Sequence, residues 1–103
     1  MIVGYAVLYK DGTLVISKKH SILSKKVRKN YGQFEDTNMP CGPDCLHIKI
    51  VQILDSIKSN WMYQWFAYCR NLTTLIGFEN LDVSDCKNFS NLFTNCHHLI
   101  NIN

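Results

Sequence analysis

Met62-Tyr63-Gln64-Trp65-Phe66-Ala67-Tyr68-Cys69-Arg70-Asn71-Leu72-Thr73-Thr74-Leu75 aligns, 27 residues further on, with Phe89-Ser90-Asn91-Leu92-Phe93-Thr94-Asn95-Cys96-His97-His98-Leu99-Ile100-Asn101-Ile102. Apolar or cysteine positions coincide throughout: Met62 with Phe89, Trp65 with Leu92, Phe66 with Phe93, Cys69 with Cys96, Leu72 with Leu99, and Leu75 with Ile102. A shared offset at these positions marks an internal repeat. The spacing predicts a short helical turn followed by a short strand in each unit, with the Phe, Cys and Leu of F-x-x-C-x-x-L turned inward. One such unit cannot bury its apolar face alone, so the units are expected to stack. Cys69 and Cys96 are then expected one above the other as small buried thiols, with Leu72 and Leu99 beside them on neighbouring strands.

Upstream, Tyr5, Val7 and Tyr9 alternate with Ala6 and Leu8, Lys10-Asp11-Gly12 is a turn signal, and Thr13-Leu14-Val15-Ile16-Ser17 is β-branched and apolar. This reads as a β-hairpin, with glycine supplying the positive φ where the chain reverses. Ser21, Ile22, Leu23, Val27 and Tyr31 suit a short amphipathic stretch, whereas residues 32–45, with Gly32, Pro40, Gly42 and Pro43, read as a loop. Strand character returns over residues 46–54, and Asp55 or Ser56 is placed to cap a helical turn running into Trp61–Tyr68. The fold expected is α+β: residues 1–57 form a β-rich cap, an N-terminal hairpin and a central strand, over a two-coil repeat in residues 58–103, all in one domain.

The repeat, with W-F-x-x-C-x-N-L-T-x-L-x-G-F-E-N-L-D-V-S over residues 65–84 and then L-F-x-N-C-x-x-L over 92–99, resembles the BspA-like leucine-rich repeats of bacterial surface proteins. The hairpin Y-A-V-L-Y-K-D-G-T-L resembles the segment that often precedes such repeats. The resemblance covers residues 61–103 most specifically and implies a short leucine-rich-repeat solenoid with a non-catalytic binding role. It also implies an exposed last coil at Ile100-Asn101-Ile102, open to self-association or to a partner.

The chain holds 103 residues, of which 47% are hydrophobic and 18% charged, a globular composition. No apolar run reaches the roughly 18 residues that span a bilayer, and no basic-then-apolar leader follows Met1. An intact reading frame in the cytoplasm of a bacterial host is therefore expected, and the abundance of Asn, Ile and Lys suits an AT-rich bacterial or phage genome. The five cysteines, an odd number, suit free thiols in a reducing compartment.

The formal net charge is +3, but residues 18–29 carry Lys18, Lys19, Lys25, Lys26, Arg28 and Lys29 with no acid. The remainder of the chain is mildly acidic. Such a stripe suits an acidic protein face first, nucleic-acid phosphates second, or a lysine-guarded sheet edge. Tyr31 and Phe34, just downstream, are candidates to stack on bases. Trp65 and Phe66 fall on the inward repeat pattern, while Trp61, Tyr63 and Tyr68 fall off it, and Tyr63 and Tyr68 are candidate partner-binding aromatics.

Cys41-Gly42-Pro43-Asp44-Cys45 with His47 has spacing compatible with zinc, His20 or another Cys being the missing ligand. With no second close Cys pair, a turn with two free thiols and no metal or cofactor is expected. A Cys41 or Cys45 dyad with His47 would be the nucleophilic alternative, yet no nucleophile motif or phosphate loop accompanies it. His97-His98 reads as one inward and one solvated side chain.

The expected function is non-enzymatic protein binding or inhibition. A phage or mobile-element inhibitor of a bacterial defence nuclease, anti-CRISPR-like, fits the size and composition. An adhesin-like interaction module of a surface protein, and a nucleic-acid-binding protein using the basic segment, are the alternatives.

Overall fold

The computed structural model describes residues 2–19, 22–62, 64–84, 86, 92, 93, 96, 98, 99, 101 and 102. Tyr63, His20, Phe89 and His97, all named above, lie outside them.

The hairpin forms as the alternation predicts. Strand β1 (Ile2–Tyr9) pairs antiparallel with β2 (Thr13–Ser17), Leu8 opposite Leu14 and Ala6 opposite Ile16. The turn closes through Gly12, at φ 93°, whose N–H donates to the Tyr9 carbonyl at 3.0 Å. Asp11 accepts the Thr13 N–H at 2.9 Å, fixing the same turn from its side chain.

Strand β3 (Val27–Glu35) flanks β1 on its other side, where a short amphipathic stretch to Tyr31 and a loop from residue 32 were expected. Beyond β2 the ladder turns parallel. β4 (Ile50–Ile53) lies against β2, β6 (Thr74–Ile76) against β4, and β8 (Asn101–Ile102) against β6, giving the six-stranded order β3-β1-β2-β4-β6-β8. A second, two-stranded sheet pairs β5 (Ile57–Lys58) with β7 (Leu81–Asp82) in parallel. Between them, residues 50–58 and 74–82 keep one constant offset. Gly77 makes that bend at φ 73°, and a Cβ there would strike the Ile53 carbonyl.

The α+β solenoid is therefore corrected to a mostly β fold built on one mixed sheet. No α-helix occurs among the described residues. The helical segments are 3-10 turns at Gly42–His47 and Phe78–Asn80. Residues 64–72, expected to contain a helical turn, form successive tight turns instead. Gln64 and Tyr68 stand at φ 56° and 66°, in the left-handed region, where a right-handed helix cannot continue. Asp55 caps nothing helical. Its carboxylate accepts the Lys18 N–H at 2.6 Å and β5 follows directly.

The 27-residue correspondence survives as contact between neighbours. Leu75 pairs laterally with Ile102. The rings of Phe66 and Phe93 stack at 5.8 Å with 17° between planes. Cys69 is buried, whereas Cys96 is half-buried and donates its thiol to the Phe66 carbonyl at 3.0 Å. Leu99 packs half-buried against the core, and Leu72 precedes β6.

The two faces of the sheet are covered differently. Ala6, Leu8, Leu14, Ile16, Val51, Ile53 and Leu75 face the main core, roofed by Ile48, Met62, Trp65, Phe66 and Leu72. Each fully buried Val, Leu or Ile side chain of this set contributes about 1.5–3 kcal/mol. On the other face, Val7, Tyr9 and Val15 form a smaller cluster with Leu23 and Val27. The connection from β2 to β3 runs along that face, because Ser17 lies opposite Tyr5 while Val27 lies opposite Tyr9.

No helix among the described residues is long and apolar enough to cross a membrane.

Candidate partner-binding surface

The β2–β3 connection distributes the six cations of residues 18–29. Lys18 and Lys19 leave the sheet beside the start of β1, and Lys18 lines a cleft of about 310 Å³ with Ile2, Ile57, Lys58 and Asp82. Lys25, Lys26, Arg28 and Lys29 lie at the opposite end, beside the hairpin turn. Tyr9 lies four residue steps beyond Tyr5 along the strand, so the two groups sit roughly 14 Å apart along the sheet at about 3.4 Å per residue. The single basic stripe expected from the sequence is thus two clusters. The larger gains Lys10 from the turn, whose N–H donates to the Lys26 carbonyl at 2.9 Å.

That larger cluster is anchored to the hairpin by defined contacts. Lys25 Nζ donates to Asp11 Oδ2 at 2.9 Å and lies 5.8 Å from the centroid of the Tyr9 ring. The Tyr9 hydroxyl accepts the Leu23 N–H at 2.8 Å, tying the connection to the sheet. The Lys25 ammonium, through its hydrogen bond, holds the Asp11 carboxyl down at about 2. Asp11 therefore stays charged and offsets one of the five cations Lys10, Lys25, Lys26, Arg28 and Lys29.

Lys29 lies 5.6 Å from the Tyr31 ring centroid, a cation–π distance. The Tyr31 hydroxyl donates to Asp44 Oδ2 at 2.6 Å, linking β3 to the 3-10 turn Gly42–His47. Burial, then the hydrogen bond to Asp44, pushes the Tyr31 phenol well above its usual range. Phe34 is 3% exposed and packs edge-on against Trp65 at 5.6 Å. Phe34 is therefore not presented for stacking on bases, contrary to expectation, whereas Tyr31 is half-buried against the core.

Of the candidate aromatics, Tyr68 is exposed, at 51%, and Trp61 is also exposed. Tyr68 is remote in sequence from the basic cluster.

The thiols are core groups. All five cysteines are free. Burial pushes Cys41 up to about 12 and holds Cys69 higher still. Cys41 is a packing residue with its thiol protonated at neutral pH, which disfavours it as nucleophile or ligand. His47 is exposed at the end of its 3-10 turn. Among the described residues no group of three or more His, Cys, Asp or Glu side chains is arranged to hold a metal. His98 is exposed.

No family model, no curated protein and no solved structure matches this chain.

Proposed function

We propose that the chain is a non-enzymatic protein-binding or inhibitory module, which docks its basic end against an acidic face of a partner protein. The observation that carries this reading is the cluster of Lys10, Lys25, Lys26, Arg28 and Lys29 around one hairpin turn, with Asp11 as the paired acid. Charge gathered on one end of a small molecule steers association and raises its rate, more so at low salt. Protein is favoured over nucleic acid because Tyr31 is committed to Asp44 and Phe34 to the core. Five cations without a presented stacking ring give phosphate attraction of the non-specific kind. In its particular form, the reading is of a cytoplasmic inhibitor of a bacterial defence nuclease, carried by a phage or mobile element.

The test uses a variant with Lys25, Lys26, Arg28 and Lys29 all changed to Ser. These side chains point to solvent or to exposed contacts, so the fold is expected to persist. Purified CRISPR effector nucleases, assayed for DNA cleavage with the wild-type protein and with this variant, are the direct probe. Inhibition that is salt-sensitive and falls tenfold or more in the variant supports the reading. Equal inhibition by both proteins, with equal salt dependence, removes the basic cluster from it. Absence of inhibition across the effectors removes the nuclease.

A further inference from the structure

The parallel ladder brings more charge to the hairpin-turn end of the sheet than residues 18–29 supply. Strands β2, β4 and β6 all run away from that end, so the residues just before β4 and β6 lie level with Gly12. Lys49 donates its N–H to the Gly12 carbonyl at 2.7 Å. Its side-chain stem lies against the turn, where a Cβ on Gly12 would meet the Lys49 Cγ at 2.8 Å. The Lys49 carbonyl accepts the Thr73 N–H at 2.9 Å, and Asn71 Nδ2 donates to the Leu46 carbonyl at 2.7 Å. Lys49 is exposed, and so is Arg70, the chain neighbour of Asn71. These two cations, from stretches far from residues 18–29, thus join the five already gathered there. The acids nearest them are committed, Asp11 to Lys25 and Asp44 to Tyr31. Glu35, Asp36, Asp55, Glu79 and Asp82 lie at or beyond the far ends of the strands.

The same end carries Leu46, 54% exposed, more than any other large apolar side chain among the described residues. From β3 to β6 the ladder spans roughly 19 Å, at about 4.8 Å between strands. The cations therefore form an arc, with Leu46 on its β4–β6 side, held through Asn71. Phosphates offer a leucine nothing, whereas an apolar side chain of a protein removes it from water. We propose that the whole arc is one docking surface, and that its occupant is an acidic stretch of a partner protein that also carries apolar side chains. The carboxylates of that stretch meet the cations from β3 across to Arg70, and its apolar side chains cover Leu46. The acids at the opposite end orient the molecule, turning the basic end toward a negative partner during approach. A second copy of this chain is the poorer occupant of the arc, since its own basic end repels it. This inference rests on the protein-binding reading above and adds Leu46, Lys49 and Arg70 to the contacts.

The test separates the extended arc from the cluster on the β2–β3 connection. The probe is a blocked ten-residue peptide of glutamates with two central leucines, alongside a version with serines for the leucines and a short DNA duplex. Each is titrated into the labelled protein while amide chemical shifts are followed. The leucine peptide is expected to move residues 46–49 and 70–71 together with residues 10 and 25–29. Lys49→Ser with Arg70→Ser is expected to weaken it tenfold or more. Leu46→Asn is expected to weaken the leucine peptide and to leave the serine peptide unchanged. Shifts confined to residues 10 and 25–29, with the double variant binding as wild type does, overturn this inference and leave the reading above standing. Equal binding of the two peptides to wild type and to Leu46→Asn also overturns it, as does failure of the leucine peptide to bind. Tighter binding of the duplex than of either peptide at physiological salt, with the same residues moving, assigns the arc to nucleic acid and overturns both.

Discussion

Lys25 reaches across the hairpin turn to Asp11, placing Nζ 2.9 Å from Oδ2, while the other side of the same carboxylate accepts the Thr13 N–H. One acid thus both closes the β1–β2 turn and holds the β2–β3 connection in place. Both side chains are substantially exposed, at 41% and 52%, so the ion pair itself contributes under about 1 kcal/mol.

Asp11→Asn keeps an acceptor for Thr13 and removes the charge, and is expected to cost a few tenths of a kcal/mol. Asp11→Ala removes both and is expected to cost more, about 1 kcal/mol. The pH dependence follows from the lowered carboxyl. The folded-state value, about 2, lies below the ordinary 3.8, so the contribution is present above pH 3.8 and is lost as pH falls through 2. Urea denaturation of the three proteins at pH 7 and at pH 2 checks this. The gap between wild type and Asp11→Asn should narrow at the lower pH.

A second prediction concerns Trp65, 3% exposed, whose Nε1–H donates to the Asp36 carbonyl at 2.9 Å. Phe34 and Phe66 meet the indole edge-on at 5.6 and 6.2 Å. Trp65→Phe keeps much of the apolar contact but leaves a buried carbonyl without its donor, an expected loss of about 1–3 kcal/mol. Trp65→Ala adds a cavity and is expected to cost about 3–5 kcal/mol. Thermal unfolding followed by circular dichroism distinguishes the two. An unchanged stability in Trp65→Phe would mean that the hydrogen bond contributes nothing.

The parts of the fold that could be read from the chain are those where one pattern had one cause. Alternation over Tyr5–Tyr9, a glycine turn and a β-branched run leave a hairpin as the natural outcome. The repeat was legible because Phe66 stacks on Phe93 and the Leu75 backbone pairs with that of Ile102, so the matched positions are neighbours whatever backbone carries them. The helical turns were not. F-x-x-C-x-x-L spacing suits a helix, but Gln64 and Tyr68 in the left-handed region convert the same spacing into bends. Strand β3 was hidden because it is a border: Arg28, Lys29, Asn30, Gln33 and Glu35 are exposed, and slips in register destroy its alternation. The basic segment misled in a different way, since adjacency in sequence became separation along the sheet once the chain crossed it.

Thiol chemistry supplies a third prediction. Cys41 and Cys69 are each 1% exposed, and burial holds Cys41 at about 12. At pH 8 only roughly one Cys41 in ten thousand would be thiolate, which is the reactive form. Titration of the folded protein with a chromogenic disulfide should leave these two thiols unmodified until denaturant is added. Rapid modification of Cys41 or Cys69 under native conditions, located by mass spectrometry, would show that their burial is wrong.

Tyr68 sets stability against binding. It holds φ 66° while its side chain is 51% exposed, so it bears left-handed strain without the burial that would offset it. A non-glycine residue in that region typically costs about 1 kcal/mol, and asparagine tolerates it better than tyrosine. Glycine would remove the strain but add unfolded-state entropy, which returns much of the gain. Tyr68→Asn is therefore expected to stabilise the protein by about 0.5–1 kcal/mol, read as a higher urea midpoint at unchanged slope. If the exposed ring is also an anchor for the partner, the same variant binds more weakly despite folding better. A strained, exposed aromatic that is retained at the expense of stability is what a binding role predicts. A variant that is both more stable and equally active in the nuclease assay would reduce Tyr68 to a turn residue and leave the basic cluster as the binding element.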